Sequence, residues 1–170
     1  MGTSIDAGKE RIAAACEESI EATKRSDVRM LLENSADPKS VGSSFKTIGE
    51  VLDQIGNPER MGVCLDTCHA FASGYDLRST TAVQETLTDF DKSIGLSNLF
   101  LVHLNDSKGD LGSSLDRHED IGKGKIGRGG MEAILKGDKL RGLPVVLETP
   151  RDYEGEDREN IATTKHLADD

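Results

Sequence analysis

Short apolar runs alternate with longer amphipathic stretches along this chain, and four of the apolar runs end at or beside a residue able to bind metal. Ile12, Cys16 and Ile20 recur at i, i+4 spacing and predict a helix over about 7–24, with Asp6 as its cap. Val28 to Glu33 reads as a strand. Phe45, Ile48, Leu52 and Ile55 predict an amphipathic helix that Gly56-Asn57-Pro58 stops. Gly62 to Asp66 reads as a second strand, leading into a loop that contains Gly74-Tyr75-Asp76. Val83, Leu87, Phe90 and Ile94 form the cleanest helical stripe, ended by Gly95. Leu99 to Leu104 is a third strand. From Asn105 to Gly130 the chain is Gly-rich and charged without periodicity, a loop length that usually serves function. A short helix over Met131 to Leu135 precedes a fourth strand, Pro144 to Glu148, and the polar tail from Arg151 predicts a weak helix.

Strands separated by helices predict a parallel sheet with right-handed crossovers. The two-residue alternation of a strand puts Leu31 with Glu33, Cys64 with Asp66, Leu101 with His103, and Val146 with Glu148 on shared faces. Each ligand-type residue then stands above an apolar one at a strand's C-terminal end, the arrangement of a barrel mouth. A closed barrel of this kind takes eight strands and typically ~250 residues. With 170 residues and about four parallel strands, the expectation is one α/β domain over 1–170, a partial (β/α)8 TIM barrel with flanking helices.

Composition narrows the picture. A net charge of −10 argues against a broad nucleic-acid surface, although bound metal ions can still draw a phosphate to one place. Aromatic content of 4% and the lack of Trp leave the core to Leu, Ile, Val and Ala. The three cysteines, Cys16, Cys64 and Cys68, form no framework and point to a reducing compartment, so they read as small buried hydrophobes. Cys64-x-x-x-Cys68-His69 has neither the spacing nor the second Cys pair of a zinc knuckle. No leader-like or membrane-spanning stretch stands out, so a cytoplasmic protein without a membrane partner is expected. His166 fits no motif and reads as a surface histidine.

The segment Gly62-Val63-Cys64-Leu65-Asp66-Thr67-Cys68-His69-Ala70-Phe71-Ala72-Ser73-Gly74-Tyr75-Asp76-Leu77 resembles a signature of the endonuclease IV family of apurinic/apyrimidinic endonucleases (deoxyribonuclease IV). His103-Leu104-Asn105-Asp106-Ser107-Lys108, Asp116-Arg117-His118, Gly122-Lys123-Gly124, Leu147-Glu148-Thr149-Pro150 and Leu32-Glu33-Asn34 extend it collinearly. The resemblance implies a (β/α)8 barrel with three zinc ions at the strand ends, hydrolysing the DNA backbone 5′ to an abasic site. Glu33 resembles a carboxylate bridging two zincs, while Asp66, His103 and Glu148 resemble the other ligands of the second. His69, Asp116 and His118 resemble the ligand set of the third. Glu33 and Glu148 are the catalytic candidates.

In that family the first zinc also takes two histidines from earlier strands, and Met1-Gly2-Thr3-Ser4 resembles the segment just after the second of them. The chain is therefore expected to be a truncated C-terminal half, with two metal sites or fewer and incision lost or greatly reduced. Expected partners are double-stranded DNA with abasic sites, a further copy of the chain, or a missing N-terminal half. Lys108, Arg117, Lys123, Lys125 and Arg128 collect positive charge in the long loop, as DNA-backbone contacts or as a solvated surface. Tyr75 is equally suited to packing and to substrate contact. Two other readings stay open: a xylose-isomerase-like metal-dependent sugar isomerase, and a non-catalytic fragment that associates through its open sheet edges.

Overall fold

The structure is a computed structural model and describes residues 4–56, 58–150 and 155–169. Helix α1 (Ile5–Ala22) comes first. Its cap is Ser4, whose hydroxyl accepts from the Ala7 N–H at 3.2 Å, not the expected Asp6. Asp6 lies inside the first turn, 2.7 Å from Lys9, so its carboxylate is engaged along the helix. Strand β1 (Met30–Glu33) starts later than expected, because Val28 is exposed. Helix α2 (Phe45–Leu52) is capped by Ser44, and its final turn relaxes before Gly56 while still burying Ile55. Asn57 of the expected stop signal lies outside the described residues.

Strand β2 (Met61–Asp66) is buried throughout. The loop expected after it begins as a helix, α3 (Thr67–Ala72), because Asp66 Oδ1 accepts from the His69 N–H at 2.7 Å and caps it. Helix α4 (Thr80–Ser93) ends as the sequence predicts, with Gly95 at φ 85°. Strand β3 (Leu99–His103) follows. The long Gly-rich loop expected from Asn105 to Gly130 contains an antiparallel hairpin, β4 (Asp106–Ser107) with β5 (His118–Glu119), and helix α5 (Gly127–Lys136) begins ahead of Met131. Strand β6 (Val145–Val146) is shorter than Pro144 to Glu148. Helix α6 (Glu156–Asp169) is no weak tail, since it packs on α5 and buries Leu167.

Four parallel strands form one sheet in the order β1-β2-β3-β6, with Glu33 opposite Cys64, Asp66 opposite His103, and His103 opposite Val146. Val63, Leu65, Val102 and Leu104 enter a core shared with Phe45, Phe71, Leu87, Phe90, Met131 and Leu167. A smaller cluster seats α1 through Cys16 and Ile20 against Val51, Ile55 and Met61. Leu31, Leu101 and His103 are only half-buried, and Val145 and Val146 are exposed. This is a partial TIM barrel with flanking helices. Among the described residues no helix is long and apolar enough to cross a membrane.

Candidate metal centre

The seven residues expected to bind metal come together at the C-terminal ends of the strands. Glu33 and His103 close β1 and β3, Asp66 closes β2, and Glu148 follows β6. His69 stands one turn into α3. The hairpin brings in His118 by pairing it with Ser107, and Asp116 precedes it.

Two groups result. In the first, His103 Nδ1 lies 3.1 Å from Glu33 Oε1, 3.1 Å from Glu148 Oε2 and 4.0 Å from Asp66 Oδ2. Each of Glu33, Asp66, His103 and Glu148 offers a ligand atom within 4.8 Å of the others. In the second, Asp116 Oδ1 lies 3.2 Å from His69 Nε2 and 3.6 Å from His118 Nε2. The groups adjoin: Glu33 Oε1 is 3.4 Å from His69 Nδ1, and Asp66 Oδ2 is 3.8 Å from His118 Nε2.

The imidazole tautomers follow from their neighbours. His69 Nδ1 faces the Asn34 carbonyl at 2.9 Å, and His118 Nδ1 faces the Glu148 carbonyl at 2.8 Å. A carbonyl only accepts, so each Nδ1 carries hydrogen and each Nε2 is the nitrogen left to bind a metal in exchange for any proton it holds. His118 Nε2 is buried and has no hydrogen-bond partner. A divalent cation bound between the carboxylates would give this nitrogen a partner. Nitrogen and oxygen donors at strand ends, with ring N–H groups held by backbone carbonyls, suit zinc.

Charge in the mouth is tightly balanced. Burial raises the Asp66 carboxyl, against the pull of His69 and His118. The hydrogen bond from His69 is the main cause of the lowered Glu33 carboxyl. Burial by itself lowers His69, but Glu33, Asp66 and Asp116 overcome it and hold the imidazole up to about 9. Cys64 and Cys68 are pushed up by burial to about 12 and about 11, and all three cysteines are free and buried.

Two asparagines escaped the sequence reading. Asn105 donates to Asp66 Oδ2 at 2.6 Å, accepts from the Glu148 N–H at 2.9 Å, and is itself fixed by Thr67. Asn34 pins Asp66 through its backbone, accepting from its N–H at 2.7 Å and donating to its carbonyl at 2.9 Å. Their signal was adjacency: Asn34 follows Glu33, and Asn105 lies just beyond His103. The basic loop residues are distributed unevenly. Lys123 pairs with Asp120 at 2.7 Å and Lys125 with Asp110 at 3.5 Å, whereas Lys108 and Arg117 project from the exposed hairpin ends. Arg128 is exposed at the start of α5. Tyr75 packs: its ring stacks on Phe45 at 3.9 Å and its hydroxyl accepts from the Phe45 N–H. His166 is exposed on α6.

A probable endonuclease 4 from Methanoculleus marisnigri is 49% identical over 168 residues, covering 98% of this chain and 60% of that protein. Another, from Nitrosopumilus maritimus, is 47% identical over 169 residues, with coverages of 99% and 60%. The crystal structure of endonuclease IV from Thermus thermophilus matches with a TM-score of 0.79 at 33% identity, over 94% of this chain and 57% of that one. The chain thus spans 60% of the length of these curated relatives. That span replaces the expected C-terminal half; counting strands alone ignored the length held in the helices and the hairpin. The family described as xylose isomerase-like TIM barrel matches residues 1–168, and the chain belongs to that family.

Proposed function

We propose that this chain carries the metal-binding mouth of a zinc-dependent DNA-repair endonuclease that hydrolyses the phosphodiester bond 5′ to abasic sites in double-stranded DNA. The observation that carries the reading is the convergence of seven nitrogen and oxygen donors on adjoining groups, with His118 Nε2 buried and unpartnered between Asp66 and Asp116. The names of the relatives, probable endonuclease 4 and endonuclease IV, support that reaction over sugar isomerisation. The 170 residues act as one domain.

In this reading Glu33, Asp66, His103 and Glu148 hold one zinc, and His69, Asp116 and His118 hold another. Bound there, the metal neutralises phosphate charge and activates water at neutral pH. The chain's own groups do the rest. Glu33 Oε1, between His69 and His103, is placed to take the proton of an attacking water. The Glu148 carboxylate forms the facing wall, its backbone held by Asn105. Asn34 and Asn105 keep the Asp66 carboxylate oriented. Lys108 and Arg117 meet flanking phosphates at the rim, while Lys123 and Lys125 first have to leave Asp120 and Asp110.

The test combines metal analysis of the purified chain with incision of an end-labelled abasic duplex, beside a sugar-isomerisation assay. Two zinc equivalents are expected, with slow, chelator-sensitive cutting 5′ to the lesion and no isomerisation. A chain that retains no divalent metal, or that isomerises a sugar and leaves the duplex intact, overturns the proposal.

A further inference from the structure

Cys68 takes no part in the centre described above, yet its sulfur belongs to a third donor group. Asp66, Cys68 and His118 each offer a ligand atom within 4.8 Å of the others. Asp66 and Cys68 are fully buried, so this group lies inward of the exposed Asp116. The Cys68 thiol donates to the Arg117 carbonyl at a long 3.6 Å and also meets the Ser107 hydroxyl. His118 belongs to this group and to the His69, Asp116 and His118 group, and its Nε2, which has no hydrogen-bond partner, lies 3.8 Å from Asp66 Oδ2 and 3.6 Å from Asp116 Oδ1.

We propose that Asp66, Cys68 and His118 form a site for a thiophilic divalent cation such as cadmium, mutually exclusive with zinc on His69, Asp116 and His118. The reason is donor softness. A carboxylate and two imidazoles suit a borderline ion, whereas replacing one imidazole by a thiolate favours a softer one. A single Nε2 lone pair binds one ion at a time, so filling the inner group empties the outer, whereas the Asp66 carboxylate has two oxygens and bridges to the zinc of the first group. The step is ligand exchange without redox change: the sulfur–hydrogen bond breaks, its proton passes to solvent, and a sulfur–cadmium bond forms. The inference rests on the proposed metal centre, because it needs His118 Nε2 to be a ligand atom.

The experiment titrates cadmium into the zinc-loaded chain, following zinc release with a chromophoric chelator and thiolate-to-cadmium charge transfer in the ultraviolet. One zinc equivalent is expected to leave as the charge-transfer band grows. Cys68→Ser and Cys68→Ala should lose the band while keeping their zinc, which also reports that they fold. Cys64→Ser should keep the band. A band that survives in both Cys68 variants, or zinc release without any band, overturns this inference alone. A wild-type chain that never binds zinc overturns the proposed centre instead.

Discussion

Replacing Asp106 with alanine probes what holds the hairpin that delivers His118. Asp106 is fully buried. Its Oδ1 accepts from the Ser107 N–H at 2.8 Å and the Ile126 N–H at 3.0 Å; its Oδ2 accepts from Gly124 at 3.0 Å and Gly127 at 3.1 Å. Alanine strands all four donors. Gly124 and Gly127 are half-buried and water can reach them, so Ser107 and Ile126, both buried, set the loss. At about 1–3 kcal/mol for each orphaned buried donor, the two together cost about 4 kcal/mol at mid-range. For a chain of this size that lowers Tm by roughly 8–16 °C. Thermal unfolding of the metal-free protein, followed by circular dichroism, measures it. Asp106→Asn keeps Oδ1 as an acceptor and turns an NH2 towards Gly124 and Gly127, so its loss should be smaller. A Tm for Asp106→Ala within about 2 °C of wild type would refute the reasoning, since it implies stranded donors costing well under the usual amount.

Other outcomes follow from the same contacts. Asn105→Leu removes the 2.6 Å donor to Asp66 and the acceptor for the Glu148 N–H; zinc affinity, read by chelator competition, should drop ~10–100-fold, and an unchanged affinity counts against an orienting role. Gly49→Ala puts a Cβ 2.0 Å from the Ser93 carbonyl oxygen, forcing α2 from the end of α4, so urea unfolding should show a loss of about 1–3 kcal/mol. Stability of the chelated chain should fall with rising pH. His69 is held up to about 9 against an unfolded value of ~6.5, so its contribution is complete below the unfolded value and disappears as pH rises through the folded one. A flat or rising urea midpoint across that window would contradict the geometry around His69.

Much of the architecture was legible in the pattern of apolar residues. Period-two alternation decided which side of its strand each of Glu33, Asp66 and His103 occupies, and the place of these residues and Glu148 at the run ends put them at the mouth. Helical spacing located α2 and α4 because each stripe spans several turns, and Gly95 marked the end of α4. Periodicity reports which face of an element is buried, and it needs enough residues to repeat. Helix α3, with six residues, is below that length, and its start depends on the Asp66 side chain as a cap.

The rest belongs to tertiary structure. The hairpin exists because Asp106 gathers backbone donors from residues 18 to 21 positions further along, which no local pattern encodes. That distant hydrogen bonding is what brings His118 beside His69 and Asp66. The imidazole tautomers depend on carbonyls of Asn34 and Glu148, 35 and 30 residues away. The pairing of Lys123 and Lys125 with acidic neighbours likewise appears only in the folded loop. Local sequence thus chose the strands and the donor types, through burial and alternation. Long-range hydrogen bonds chose which nitrogen of His69 and of His118 looks into the mouth.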